Sequence, residues 1–247
     1  MGIMMRAAHA WSGRVLGWCA DVLAPRVCVA CGDEGAWICA PCTSHIPLLG
    51  NFVCGRCDRP SPFGKTCITC RRDFPVDHVI AVASYAVPCM QRIVRMVKYV
   101  PAHDVAQAYA SIVAMFCARP EHMALRGVVG PDSILIPIPL HWSRELERGF
   151  NQSVPIADAF ARAGWGTVRN DVLLRVRRAT PQATLVRAMR LENMQHAFVV
   201  QDTDVVRGRA VVLVDDVITT GATVASAAHA LRRAGASTVS VCAFAKG

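Results

Sequence analysis

Residues 211–223, VVLVDDVITTGAT, pass from a β-branched apolar run through two adjacent acids into a glycine turn rich in hydroxyls. Val211, Val212, Leu213 and Val214 are too few for a helix and too β-branched for a loop, so they predict a buried strand of a parallel sheet. Asp215 and Asp216 then fall at its carboxyl end, the edge where open α/β sheets hold ligands between strand ends and helix starts. Thr219, Thr220, Gly221, Ala222 and Thr223 follow, and a helix is expected from Val224 to Ala234. Hydroxyls and close-approaching amides at a helix start form an anion cradle, which the helix dipole reinforces. The two carboxylates beside it can accept hydrogen bonds from a vicinal diol. The plainer reading is an ordinary strand, turn and helix. Against it, adjacent acids repel each other and call for a ligand, metal or donors.

These residues resemble the phosphoribosyl pyrophosphate (PRPP) signature of type I phosphoribosyltransferases, with Ala222 standing where the signature has its second glycine. The resemblance implies that Asp215 and Asp216 hold the ribose 2′ and 3′ hydroxyls. It implies too that Thr219, Thr220, Gly221 and Thr223, with Ala222 in the same turn, surround the 5′-phosphate.

The chain has 247 residues, 53% of them hydrophobic, ample for a core in one large domain or two smaller ones. No uninterrupted apolar run reaches about 18 residues, so no transmembrane helix is expected. Residues 1–24 are apolar and carry Arg6, but Arg14 and Asp21 interrupt any signal-peptide core and no small-residue cleavage site follows. A cytoplasmic location is therefore expected. Trp11, Val15, Trp18 and Val22 recur at helical spacing, which predicts an amphipathic helix within residues 1–27, docked on the protein or, alternatively, lying on a membrane surface.

Eight cysteines form four CxxC pairs: Cys28 with Cys31, Cys39 with Cys42, Cys54 with Cys57, and Cys67 with Cys70. A CxxC hairpin aims two sulfurs at one tetrahedral centre, and two such knuckles close an S₄ site suited to structural Zn²⁺. Disulfides are the first alternative, disfavoured where thiols stay reduced. Thioredoxin-like redox chemistry wants a CxxC in a βαβ pattern, and an iron and sulfur cluster would also accept four thiolates. Spacing permits either sequential pairing, giving two stacked ribbons, or an interleaved cross-brace; the sequential double ribbon over 28–75 is preferred. A stretch holding Gly32, Gly35, Pro41, Pro47, Gly55, Pro60, Pro62 and Gly64 is too loop-rich to fold without metal. Cys19, Cys89, Cys117 and Cys242 are expected to be core thiols.

Formal net charge is +9. Two zinc ions on eight thiolates would lower it to about +5. Residues 1–75 carry eight basic against five acidic side chains and would become roughly neutral, so the basic surplus, 19 against 13, lies in residues 76–247.

From Val79 the pattern alternates strands with helices, as βαβ units do. A strand is expected over 79–85, helices over 89–98 and 102–118, a buried strand over 133–139 and a helix over 153–163. The stretch between the last two, with His141, Arg144, Arg148 and GFNQ, reads as a second loop that brings positive charge to the same sheet edge. Phe150 can be core and Asn151 a helix cap.

PIPLHWSRELERGFNQ, the upstream VKY, the downstream RRATPQATLVRAMRLENMQHAF and the paired CxxC knuckles together resemble the ComF family, from Cys28 to the C-terminus. The resemblance implies an α/β fold: a type I phosphoribosyltransferase-like domain over 76–247, mainly parallel sheet flanked by helices and related to amidophosphoribosyltransferases, after a small N-terminal double zinc ribbon. It implies association with natural competence, the uptake and processing of transforming DNA. Arg148, Gly149, Phe150, Asn151 and Gln152 would form the first loop, near pyrophosphate, with Arg144 beside it. Gln182, Arg190 and Asn193 match a second loop that closes over substrate in related enzymes, and Lys98 with Tyr99 matches the family's KY pair. Arg175, Arg177, Arg178, Arg187 and Arg190 precede the first nearby acid, Glu192, and read as a solvated face or as a site for pyrophosphate or nucleic-acid phosphate.

PRPP with Mg²⁺ would then bind across Asp215, Asp216 and the threonine loop, and a nitrogen nucleophile would displace pyrophosphate at C1. Asp215 and Asp216 would stabilise the cationic ribosyl centre and Arg148 the departing pyrophosphate. No residue stands out as a general base for the acceptor, and Met1 leads into an ordinary segment without the cysteine nucleophile of a glutamine-hydrolysing half. The competing reading is a non-catalytic binding protein in which the PRPP site is a ligand sensor or a remnant while ribbons and arginines engage single-stranded DNA or a DNA-processing partner, with Phe52, Phe63 and Phe74 as stacking rings or as core.

Overall fold

The computed structural model describes residues 25–50, 52–96, 100–176 and 197–247. The chain divides into two compact units, Met1–His45 and Ile46–Gly247, so the second cysteine cluster belongs to the same unit as the sheet. The expected N-terminal helix, Cys19, Lys98, Tyr99 and the whole stretch 177–196 lie outside the described residues.

The described part of the first unit is short. An antiparallel bridge between Val27 and Glu34 closes the first knuckle, and helix α1 (Ala40–Ser44) carries the second, with Cys39 at its N-cap, Cys42 inside it and Pro41 in its first turn where a missing N–H does no harm.

The second unit is built on a five-stranded parallel sheet in the order β1 (Val79–Ser84), β7 (Thr238–Lys246), β6 (Ala210–Ile218), β2 (Ile134–Pro137), β3 (Thr167–Val168). Helices α2 (Pro88–Met96) and α3 (Ala102–Cys117) connect β1 to β2; α4 (Trp142–Arg148) and α5 (Ser153–Arg162) connect β2 to β3. An antiparallel pair, β4 (Leu173–Arg175) with β5 (Phe198–Val200), stands apart from the sheet, before the one-turn α6 (Thr203–Val206). Helix α7 (Ala222–Arg233) joins β6 to β7.

Both faces of the sheet are covered, which is why the strands read as continuous apolar runs: Val79 to Ala83 are all buried, as are Val211 to Val214 and Val239 to Ala245. In α7 the buried positions Val224, Ala227, Ala228 and Leu231 follow helical spacing, and Arg232 and Arg233 occupy the last turn, where the helix dipole favours cations. Arg232 also pairs with Asp77, whose Oδ2 accepts from the amide of Val239 at 2.8 Å. That contact ties the start of β7 to the segment entering β1.

The loop-rich stretch before β1 packs closely on the sheet. Phe74 is 1% exposed and joins the core formed by β6 and α7. Gly64 has a φ of 69°, and a Cβ there would run into the carbonyl oxygen of Val79; a Cβ on Gly55 would collide with the Val79 side chain. Only glycine permits these approaches.

Four expectations are corrected. The strand over 133–139 spans only Ile134–Pro137, because prolines at 137 and 139 limit the pairing of its edge. The basic stretch after it is not a loop throughout: Trp142–Arg148 is a helix, capped by His141 at its start, where the side chain accepts from Ser143 N, and by Gly149 in the left-handed conformation at its end. Cys89 is only half-buried, on α2, whereas Cys117 and Cys242 are core thiols. The fourth concerns β6, which runs through Asp215 and Asp216 to Ile218 instead of ending at Val214. Among the described residues, no helix is long and apolar enough to cross a membrane.

Candidate functional site

The extra length of β6 creates the site. Its neighbour β2 pairs with it up to Pro137 opposite Val214, and Ile138 N donates to Val214 O at 2.8 Å. Beyond that point β6 pairs with β7 alone, Asp215 opposite Ala243 and Val217 opposite Ala245. The acids therefore sit where one side of a central strand is released, and the segment leading into α5 fills the step.

Three consecutive residues make the connection. Asn151 donates from Nδ2 to Ile138 O at 3.0 Å and accepts at Oδ1 from Ser153 N at 3.0 Å, so it closes the turn into α5, just before the N-cap position at Gln152, and holds the loop to the end of β2. Gln152, 4% exposed, donates from Nε2 to Asp216 Oδ2 at 3.0 Å. Ser153 donates from Oγ to Asp215 Oδ1 at 3.3 Å. The acids also take local amides: Asp216 N donates to Asp215 Oδ1 at 2.9 Å and Val217 N to Asp216 Oδ1 at 2.7 Å. For Ser153 the sequence carries one signal, its place at the first position of a helix following GFNQ. Phe150 is half-buried.

Burial and then the neighbouring Asp216 charge push the Asp215 carboxyl well above the ordinary range, although Ser153 and the Asp216 amide work the other way. Tyr109, on α3, lies within reach of the same charges: burial, then Asp216, raise its phenol, while Arg148 opposes them. The Tyr109 hydroxyl and Gln152 Oε1 are buried polar atoms with no hydrogen-bond partner among the described residues. Such atoms are costly unless a ligand or water meets them.

Past Ile218 the chain bends through exposed Thr219 and Thr220 to Gly221, whose φ of 72° is left-handed and which caps α7. A Cβ at Gly221 would lie 2.9 Å from Phe74 Cε2, so glycine is required both for the turn and for the fit. Helix α7 begins at Ala222, two residues earlier than expected, so Ala222 and Thr223 form its first turn. Their amides belong to the set that an α-helix leaves without intrahelical acceptors.

Arg148 closes α4, half-buried. Arg175, at the end of β4, lies over the Phe198 ring at 5.3 Å from its centroid. Burial lowers the Arg175 pKa, Arg144 lowers it further, and Asp215 raises it, so two guanidinium groups and an acid act on one another at this edge. Arg190, together with Gln182, Asn193, Arg177, Arg178 and Arg187, is outside the described residues.

The cysteine sulfurs group sequentially. Cys28, Cys31, Cys39 and Cys42 form one cluster and Cys54, Cys57, Cys67 and Cys70 the other, each with its sulfurs within 4.8 Å of one another. Cys39 N points to Cys28 Sγ at 3.4 Å, and Cys67 N to Cys54 Sγ at 3.5 Å. Burial opposes ionisation of Cys28, but the amides of Cys31, Cys39 and Ala30 outweigh it and bring its pKa to about 6; Cys54 is likewise brought to about 6 by the amides of Cys67, Arg56 and Cys57. Amide donors aimed at sulfur favour thiolate, the form that binds metal. Of the three candidate stacking rings, Phe74 is core, Phe52 is partly buried in a T-shaped contact with the His122 ring at 5.9 Å between centroids, and Phe63 is exposed.

Known proteins bear on this arrangement. Residues 150–247 match the phosphoribosyl transferase domain family. The DNA utilization protein YhgH of Escherichia coli O6:H1 is 32% identical over 225 residues, 88% of this chain and 95% of that protein. Competence protein F of Haemophilus influenzae is 25% identical across 85% of this chain and 90% of its own length. Competence protein ComFC of Bacillus subtilis is 26% identical across 80% and 79%. A solved structure described as the allosteric regulatory enzyme of purine biosynthesis overlaps 61% of this chain at a TM-score of 0.41 and 19% identity; this chain spans 30% of that one. The fold is that of a type I phosphoribosyltransferase domain with two N-terminal cysteine clusters suited to zinc ribbons, and by its near full-length match to these relatives the chain belongs to the ComF family.

Proposed function

We propose that this chain binds PRPP with Mg²⁺ and transfers the phosphoribosyl group to a nitrogen acceptor, in DNA uptake or nucleotide-related metabolism. The observation that carries the reading is the pair Asp215 and Asp216 at the released side of β6, held by Ser153 and Gln152 beside the glycine-capped start of α7. Asp215 and Asp216 accept from the ribose hydroxyls, and the free oxygen of Gln152 is an additional acceptor there. Thr219, Thr220, Gly221, Ala222 and Thr223 offer hydroxyls and amides to the 5′-phosphate. As positive charge builds at C1, the acids stabilise it; Arg148 faces the departing pyrophosphate, with Arg190 assigned to the same role by its family position. Oxygen ligands suit Mg²⁺, which would neutralise charge on the pyrophosphate.

Each cysteine cluster is assigned one structural Zn²⁺, since four sulfurs within reach of one centre and amides aimed at them are what a closed tetrahedral site needs.

Arg148→Ala is expected to slow pyrophosphate release from PRPP by about a hundredfold, the range for removing one donor to developing negative charge. A pyrophosphate-release assay with candidate bases and amines measures it; an unchanged rate removes Arg148 from the chemistry.

A second reading, binding of single-stranded DNA, has its own supporting observation. Trp142 and Leu146 stand 66% and 75% exposed on α4, the helix that carries Arg144 and Arg148. An exposed ring among arginines suits base stacking with phosphate contact. This reading expects salt-dependent DNA affinity that survives replacement of both acids by asparagine but falls when the arginines are neutralised. DNA affinity insensitive to salt and arginines contradicts it.

A further inference from the structure

Arg56 lies between Cys54 and Cys57 in the second cysteine cluster, and its Nη1 donates to the carbonyl oxygen of Thr220 at 3.0 Å. Thr220 immediately precedes the left-handed Gly221. The peptide joining them is trans, so its C=O and N–H point in opposite directions. A guanidinium that holds the Thr220 carbonyl toward the knuckle therefore turns the Gly221 N–H the other way. We propose that Arg56 is a positioning residue for the anion cradle: it orients the 220–221 peptide so that the Gly221 amide faces the phosphate, and the second cysteine cluster sets phosphate affinity through it. The proposal rests on the PRPP reading above.

Several contacts hold Arg56 in place for this task. The turn that carries it is closed by Asp58 N donating to Cys54 O at 3.1 Å and Cys54 N to Arg59 O at 2.9 Å. Gly55 rests against Val79 with no room for a side chain, which fixes the knuckle on β1. Asp58, with a left-handed φ of 59°, pairs with Lys246 at the end of β7. Phe74, four residues after the last cysteine, packs beneath Gly221. The cluster thus meets the cradle twice, once by an apolar ring that supports the turn and once by a guanidinium that orients a peptide. The first contact contributes mainly to stability. The second acts on a dipole that a bound phosphate would read.

The role is separable from general support of the fold because Arg56 is exposed and, among the described residues, its side chain donates to the Thr220 carbonyl. Ribose 5-phosphate probes the cradle, while Mg²⁺-pyrophosphate probes the arginine side of the site. With zinc-loaded protein, Arg56→Met is expected to keep its zinc content and to melt within a few degrees of wild type. Calorimetry should then show ribose 5-phosphate bound about tenfold more weakly, the lower end of the range for losing one hydrogen bond to a charged group, with pyrophosphate affinity unchanged. Arg56→Lys, which keeps a cationic donor, should recover part of the loss. Ribose 5-phosphate affinity equal to wild type in Arg56→Met overturns the proposal, as does equal weakening of both ligands with loss of zinc, the mark of a merely structural residue. Folded, zinc-loaded wild type that binds neither probe contradicts the PRPP reading itself, and this assignment with it.

Discussion

Asp215→Asn combined with Asp216→Asn is expected to weaken PRPP binding by about a hundredfold or more and, at neutral pH, to raise the melting temperature by a few degrees. The loss follows from replacing charged acceptors of the ribose diol by neutral ones: two charge-assisted hydrogen bonds weakened by about 1.5 kcal/mol each amount to roughly two decades in affinity. The gain in stability follows from the site's own electrostatics. Burial and the Asp216 charge raise the Asp215 pKa in the folded protein above its unfolded value of about 3.9. A group shifted in that direction favours folding below its unfolded pKa and loses that contribution as pH rises through the folded pKa. At neutral pH the Asp215 carboxyl therefore costs the fold stability, a cost that asparagine, which does not titrate, removes. The hydrogen bonds can be kept. An asparagine Oδ1 at 215 still accepts from Ser153 and the 216 amide, and Gln152 can turn its unpartnered Oε1 toward a new amide at 216. Thermal unfolding of both proteins at pH 7 and at lower pH checks the sign: the variant's advantage should shrink as pH falls. A variant less stable than wild type at pH 7 would mean that the acids support the fold and are not held there for a ligand.

Cys54→Ser is expected to lower bound zinc from about two to about one per chain and to lower the melting temperature by about 10 °C or more. Cys54 is fully buried, and the amide of Cys67 points at its sulfur. A serine hydroxyl cannot replace a thiolate ligand, and a closed zinc site contributes its binding free energy directly to folding. Among the described residues from Ile46 to Asp77, regular structure is limited to two short 3₁₀ turns and isolated bridges, so little else orders this segment. Its loss would also release Phe74 from beneath Gly221 and Arg56 from Thr220, so PRPP affinity should fall with the metal. Elemental analysis and thermal unfolding measure the two effects. Fewer than about one zinc per wild-type chain contradicts the double ribbon.

The four CxxC knuckles and the glycine turn before α7 were open in the sequence, because each depends on residues close together in the chain, whereas spacing left two ways of pairing the knuckles and the structure brings neighbours together. Two knuckles a short loop apart meet as a local event, and Gly221 before a helical run specifies its own conformation. What the sequence concealed arises between distant segments. That β6 would continue through its acids depended on β7 being long and β2 being stopped by Pro137 and Pro139, a comparison of three strands far apart. The link from Ser153 and Gln152 to the acids spans more than sixty positions, and that from Arg56 to Thr220 spans 164. No periodicity reports such pairs. Helix α4 was hidden for a different reason: Trp142 and Leu146 are exposed, so the apolar positions that ordinarily reveal a helix do not mark a buried stripe. The strands β3, β4 and β5, two or three residues each, are too short to show alternation.

The central claim is that Asp215, Asp216 and the turn from Thr219 to Thr223 form a PRPP site. Titration calorimetry of zinc-loaded wild type with PRPP and Mg²⁺ tests it most directly, with Asp215→Asn/Asp216→Asn as the paired control. Saturable binding of one PRPP per chain that the paired variant loses is the predicted result. Folded wild-type protein that takes up no PRPP at millimolar concentration, or a double variant that binds it equally well, would contradict the account.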